Sequence, residues 1–328
     1  MAELVLGVGS SHSPMVTMDG PDWLEWGQRD LRNPMLYTAE GRHVTYAERL
    51  ADVGGAFTER ASVGLATVGA ARVDVAVCAI RDALAEAELD AVIVVGDDQD
   101  EHLLADNLPP FLIYWGDDIE NESMGDADQL SPLERRYLPG YREPGAARTY
   151  PVAKSLAEHL IRTAMEGGFD VASSARLPRA DRGMGHAFGF PLRRLLGDVP
   201  IVPVMVNTYN PPTQPRAPRC RDFGTLLRSA IDSFDAGSRI GVIASGGLSH
   251  FVVHEDLDRD VLALLAVNDL DGLTGIPEAT FVAGTSEIKN WIVVAAMCAD
   301  RQFELIEYVP GYRTPAGTGT GLAFAVWR

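Results

Sequence analysis

Three short apolar runs, each ending in a turn of small, polar and histidine residues, constrain this chain more than any other feature. Ile240 to Ala244 runs into Ser245-Gly246-Gly247-Leu248-Ser249-His250, and Glu3 to Val8 runs into Gly9-Ser10-Ser11-His12-Ser13-Pro14. Ala91 to Val95 runs into Gly96-Asp97-Asp98-Gln99-Asp100-Glu101-His102. Short apolar stretches rich in β-branched residues and bounded by turn formers read as strands. The unbroken A-V-I-V-V pattern suits a strand covered on both faces. In open α/β sheets, ligand crevices lie beyond the carboxyl ends of the strands. Histidines at such ends are better placed for chemistry than histidines on a helix face. The three strand ends are therefore expected to meet.

The rest of the chain supplies the layers around such a sheet. Pro200 to Val206 reads as a further strand, and Leu108 to Trp115 as another short one. Tyr46 to Glu88, Val152 to Gly167, Phe223 to Phe234, Asp256 to Ala266 and Ile288 to Cys298 read as helical, the first broken near Gly54-Gly55 and Gly64. Alternating strands and helices imply an α/β protein with a central, mostly buried sheet flanked by helices. One catalytic domain spanning 1–328 is expected, with lid-like excursions at about 15–45 and 116–150, where glycines, prolines and aromatics follow no period. Gly317 to Leu322 reads as a turn before a last strand, Ala323 to Trp327.

Composition excludes more than it identifies. A net charge of −18 argues against nucleic-acid and anionic-membrane partners, which select basic patches. Three scattered cysteines, Cys78, Cys220 and Cys298, offer neither a disulfide framework nor a thiolate zinc site, as expected for a reducing cytoplasm. The N-terminus lacks the basic region of a signal peptide, and no run of about 20 apolar residues is evident.

Several candidates carry a plain structural reading beside a functional one. His186, in Gly183-Met184-Gly185-His186-Ala187-Phe188-Gly189, lies among glycines that let backbone approach a ligand closely. Glu287, after Gly284-Thr285-Ser286, sits where a first-turn acid favours the helix dipole, with Thr285 or Ser286 as cap. The acids after Val95 read more simply as a solvated turn than as a cation site. His254 stands four residues after His250, but H-F-V-V-H is not a zinc-protease motif. Two histidines and a carboxylate, drawn from His12, His186, His250 and Glu287, form a ligand set that holds non-haem Fe(II) with open positions. A remaining histidine is then free for acid–base work.

Five motifs occurring in order give the chain a resemblance. S-S-H-S-P at 10–14, V-V-G-D-D-Q at 94–99, G-H-A-F-G-F-P-L at 185–192, S-G-G-L-S-H at 245–250 and G-T-S-E at 284–287 resemble the class III extradiol ring-cleavage dioxygenases. This is the superfamily of the protocatechuate 4,5-dioxygenase β subunit, and the similarity is greatest to its 3-O-methylgallate dioxygenase branch. The resemblance implies an Fe(II) enzyme that opens a catecholic or gallate-like aromatic with dioxygen, and a homodimer. It implies His12 and Glu287 as metal ligands, and it places Gln99 where the family's second ligating histidine stands. His102, three residues on, is the alternative donor. His250 matches the family's acid–base residue, and His186 a group that hydrogen-bonds substrate or oxygen. The excursions would replace the helper subunit that covers the site in two-subunit relatives.

Gln99 keeps two other functions open, because an amide is a poorer iron ligand than an imidazole. One is a non-redox lyase or hydrolase with His250 as base. The other is a non-catalytic metal- or partner-binding relative, as in the Memo-like branch.

Overall fold

A computed structural model describes residues 1–234 and 237–328. Its strands are β1 (Glu3–Ser10), β2 (Ala91–Gly96), β3 (Phe111–Tyr114), β4 (Asp118–Asn121), β5 (Arg148–Pro151), β6 (Ala172–Ser174), β7 (Ile201–Val206), β8 (Arg239–Ser245), β9 (His250–Val252), β10 (Phe303–Tyr312) and β11 (Thr318–Trp327). Among the described residues, nine of these form one sheet in the order β10-β11-β1-β8-β2-β7-β3-β6, with β9 paired to β11. The β1, β8, β2 and β7 strands at its centre run parallel. Antiparallel β10 and β11 close one side, and β3 pairs antiparallel with β7 on the other. The β4–β5 pair stands apart, within the 116–150 excursion.

Period-2 side-chain alternation builds a core on each face of the sheet. Along β2, Ala91, Ile93 and Val95 enter one cluster, together with Leu160, Phe223, Leu227, Val261 and Trp291 from the covering helices. Val92 and Val94 point the other way, toward Val73, Val77, Ile80, Phe188 and Phe190. The uninterrupted apolar run therefore means burial on both faces. The helices expected from periodicity form at Tyr46–Val53, Val63–Glu86, Lys154–Glu166, Ala217–Ser233, Glu255–Ala266 and Ile288–Met297. By length and composition, Val63–Glu86 could cross a bilayer. Here its Ala66, Val73, Val77, Ile80 and Leu84 face is buried beside β10 and β11.

Two segments depart from the sequence reading. Gly317 to Leu322 is not a turn, since all but Gly317 lies inside β11, which pairs with β9, β10 and β1. Glycine is needed at 321 for closeness, because a Cβ there would lie 2.0 Å from Asp258 Oδ2. The sequence places His250 in the turn after β8, yet His250–Val252 is strand β9, with His250 opposite Thr320.

The two excursions are tied back onto this frame. Residues 15–45 carry the helix Gly20–Trp26, and 116–150 carry β4, β5 and the helix Pro132–Tyr137. Arg313, after β10, makes a two-point ion pair with Asp30 at 2.9 and 3.1 Å, and Thr318 donates to the same carboxylate at 2.7 Å. Both partners of the ion pair are buried. Removing one member of such a pair strands the other charge in a medium that solvates it poorly. Asp30→Ala is therefore expected to cost about 3–5 kcal/mol, read as a lower urea midpoint.

Candidate active site

Parallel pairing carries four strand ends to one edge of the sheet. His12 follows β1, Asp97 and Gln99 follow β2, Tyr209 follows β7, and His250 follows the Gly246-Gly247 turn after β8. Glu287 comes to the same edge from the start of the helix Ile288–Met297, and His186 from the start of the short helix His186–Pro191. All of these side chains but Asp97 line a cavity of about 300 Å³. Trp26 from the first excursion and Tyr137, Tyr141 and Arg142 from the second also line it.

The hydrogen bonds of His12 determine its tautomer. Ser245 Oγ donates its one proton to the Ala187 carbonyl at 2.6 Å, so it can only accept from His12 Nδ1–H, at 2.9 Å. The bare Nε2 is buried without a hydrogen-bond partner. It lies 3.6 Å from Glu287 Oε2 and 4.0 Å from Asp97 Oδ1. Burial, then the nearby His186 and His250, lower the His12 pKa well below the usual value. A neutral imidazole with one nitrogen anchored and the other exposed to carboxylates is the form that ligates metals. His12, Asp97 and His186 bring one possible ligand atom each within 4.8 Å of one another. The bare His12 Nε2, with the Asp97 and Glu287 carboxylates beside it, therefore fits a metal ion.

Glu287 is buried at the start of the helix Ile288–Met297 and lines the cavity. Its carboxylate accepts from Gly247 N at 2.8 Å, Gln99 Nε2 at 3.2 Å and Tyr209 Oη at 3.4 Å. Burial, then the Asp97 charge, push its pKa well above the carboxylate range. Neither Thr285 nor Ser286 caps the helix. Thr285 Oγ1 accepts from His250 N at 3.0 Å and donates to His250 O at 2.7 Å, clamping that residue's backbone. Gly284 leaves room for the ring, since a Cβ there would lie 2.3 Å from His250 Cβ.

His250 and His186 are held in opposite protonation states. His250 Nδ1–H donates to the Leu248 carbonyl at 3.0 Å, which leaves Nε2 as a lone pair 3.6 Å from Glu287 Oε2. Burial lowers its pKa to about 4; the Leu248 bond opposes this, and Arg313 and His186 add to it. Burial alone would lower His186 too, but the Glu101 charge and a 2.6 Å hydrogen bond to it raise His186 to about 10. Burial also acts against the Glu101 charge, yet His186 keeps that carboxyl below its usual range.

Residues 72–323 match the family described as the catalytic LigB subunit of aromatic ring-opening dioxygenase. The chain belongs to this family. The matched range contains Asp97, Gln99, His186, His250 and Glu287, while His12 precedes it. A 2,3-dihydroxyphenylpropionate/2,3-dihydroxicinnamic acid 1,2-dioxygenase of Comamonas testosteroni is 28% identical over 54% of this chain and 48% of its own length. A gallate dioxygenase of Pseudomonas putida is 30% identical over 43% of this chain and 44% of its own. The matched stretches thus span about half the length of these curated relatives.

Within this LigB-family chain, the residues singled out from sequence separate clearly. His12, Gln99, His186, His250 and Glu287 all line the cavity. His102 does not, because its Nε2–H donates to the Gly183 carbonyl at 2.8 Å and so holds the turn against a neighbouring loop. His254 bonds Tyr37 O, His43 bonds Pro34 O, and His159 bonds Ala230 O. The turn after β2 is solvated only in part, with Asp100 exposed but Asp97, Asp98 and His102 buried. Asp98 accepts the backbone N–H groups of Glu101, His102 and Leu103 at 2.9–3.1 Å, which folds the turn inward. Sequence reasoning therefore missed Asp97, Glu101 and Tyr209. The one available signal was the placement of the acids directly after a fully apolar strand.

The Glu101–His186 pair yields a pH prediction. His186 has a folded-state pKa above its ordinary value of 6.5, so its stabilising effect is complete below pH 6.5 and is lost as pH rises toward about 10. Native protein should lose thermal stability across that window, and Glu101→Gln should show a shallower dependence. Nitrogen NMR of labelled protein should find the His186 ring still doubly protonated at pH 8 in the native chain and neutral in Glu101→Gln.

Proposed function

We propose that this chain is an Fe(II)-dependent extradiol dioxygenase that opens a catecholic or gallate-like ring. The observation that carries this reading is the convergence of a bare His12 Nε2, the Glu287 carboxylate and the His250 Nε2 lone pair on one cavity beyond the sheet. Membership of the LigB family supports it, as do relatives named as gallate and dihydroxyphenylpropionate dioxygenases. The cavity, about 300 Å³, matches the lower end of small-molecule sites and suits a single aromatic ring.

His12 and Glu287 would hold the metal, with the Gln99 turn supplying the remaining protein donor. Fe(II), when bound, supplies the redox centre at which an aromatic diol and dioxygen are brought together. The chain's own residues do the rest. His250, neutral at pH 7 with its proton fixed on Nδ1, takes a proton from a ring hydroxyl at Nε2 and can return it later. Charged His186, fixed by Glu101, offers an N–H and a positive charge toward negative charge developing on substrate or oxygen. Trp26, Tyr137 and Tyr141 line the cavity with rings suited to pack against an aromatic substrate.

Oxygen uptake by protein loaded with Fe(II) without air tests the proposal, with gallate, protocatechuate and 2,3-dihydroxyphenylpropionate as substrates. Uptake with a coloured ring-opened product is expected, and His250→Ala should lower kcat by about 10²–10⁴-fold while metal content stays unchanged. No uptake from a metal-replete native chain on any of these diols would overturn the reading and favour a non-redox reaction with His250 as base.

A further inference from the structure

The protein donor that completes the metal set is the point at which this chain departs from the pattern it resembles. We propose that Asp97, not Gln99, is the third ligand, so that one imidazole and two carboxylates (His12, Asp97 and Glu287) hold the ion while the Gln99 amide clamps the carboxylates. The proposal rests on the reading of the cavity as a metal site.

Donor geometry favours Asp97. Metal–nitrogen and metal–oxygen bonds of about 2.0–2.2 Å place two ligands of one ion roughly 3–4 Å apart. His12 Nε2 is buried, unpartnered and bare, and its distances of 4.0 Å to Asp97 Oδ1 and 3.6 Å to Glu287 Oε2 fall in that range. The nearest donor to Asp97 Oδ1 among the hydrogen bonds is Asn290 Nδ2, at a long 3.4 Å, and that amide bonds the Ser245 carbonyl better, at 3.0 Å. The ligand atom of Asp97 is thus nearly uncommitted.

Gln99 is committed elsewhere. Its Nε2 donates to Asp97 Oδ2 at 3.1 Å and to Glu287 Oε1 at 3.2 Å, one oxygen from each carboxylate. To present its own oxygen to an ion, the amide would have to turn over, and both carboxylates would lose that donor. Left as it is, it holds the two acids at a fixed separation, with their other oxygens toward His12.

Charge points the same way. Asp97 and Glu287 are buried, and their direct hydrogen-bond partners are neutral: the Gln99 and Asn290 amides, Gly247 N–H and Tyr209 hydroxyl. Buried carboxylates are stable when paired or when they coordinate a cation. A divalent ion balances these two, whereas a histidine, amide and single carboxylate would leave it half neutralised. An oxygen-rich set of this kind accepts Mn(II) as well as Fe(II).

Mn(II) titration of metal-free protein provides the test. Free ion is counted by electron paramagnetic resonance, and melting temperature is read with and without Mn(II), in the native chain, Asp97→Asn, Gln99→Leu and His12→Ala. Loss of a partner outside the ligand set costs about 10–100-fold in metal affinity. Asp97→Asn is therefore expected to bind about 100-fold more weakly or worse, and Gln99→Leu about 10-fold more weakly. Metal-free Asp97→Asn should melt at or above the native temperature, since a repelling pair of acids has been relieved, but should lose the Mn(II)-induced rise. Native-like Mn(II) binding by Asp97→Asn, with loss in Gln99→Leu, would make the amide oxygen the ligand and overturn the proposal while leaving the metal site standing. A metal-free Asp97→Asn that melts lower yet keeps its Mn(II) response would show Asp97 to be structural, and would also overturn it. If the native chain binds no Mn(II), or His12→Ala binds as well as native, the metal reading itself fails and takes this proposal with it.

Discussion

Parallel pairing of β1, β8, β2 and β7 is the constraint on which the rest of the structure depends. Register matches Val8 with Ile243, Ile243 with Val94, and Val95 with Val204, so these strands leave the sheet at one edge. Each then delivers its polar turn to the same crevice. Residues as distant in sequence as His12 and Glu287 come within 3.6 Å because the sheet, and not local chain geometry, sets their separation. The strands can sit in parallel at the centre only because both faces are covered, which is why their side chains are apolar without alternation.

Polar groups at that edge sit in an electrostatically costly place. Asp97, Glu287, His12 and His250 are all buried, and the fold compensates with directed hydrogen bonds: Gly247 N–H, Ser245 hydroxyl, Leu248 carbonyl and the Gln99 amide. Burial nevertheless raises the pKa of both Asp97 and Glu287, and the Asp97 charge pushes Glu287 further, well above the carboxylate range. A scaffold selected for stability alone would replace such a pair with apolar side chains. The neighbouring Glu101–His186 pair shows the other solution, in which an acid and a base neutralise one another at 2.6 Å. Fixed protonation on both sides of the cavity divides the acid–base work: His250 is ready to accept a proton, and His186 already carries one.

Much of this was legible in the order of residues. Periodicity and turn chemistry located β1, β2, β7 and β8 and most helices, because buried strands and amphipathic helices write their environment into every second or every third to fourth residue. The glycine- and serine-flanked histidines at 12, 186 and 250 stood out for the same reason. Gly317 to Leu322 reads as a turn because glycines required inside β11, such as Gly321 beside Asp258, look like turn formers. Strand β10, whose burial follows no period of two and which contains a proline, carries too weak a pattern to read as a strand.

The sequence by itself determined the fold class, the strand ends that carry chemistry, and the five motifs that align with a known family. Only the tertiary structure decided which polar residues of those turns face the cavity. Asp97, Asp98, Gln99, Glu101 and His102 occupy one short turn and look interchangeable as a string of letters. Asp98 spends its carboxylate on three backbone N–H groups, His102 is turned to Gly183, Glu101 reaches His186, and Asp97 and Gln99 reach Glu287's side of the crevice. Burial and charge pairing are long-range properties, so local composition could not separate a solvated acidic turn from one folded over the site.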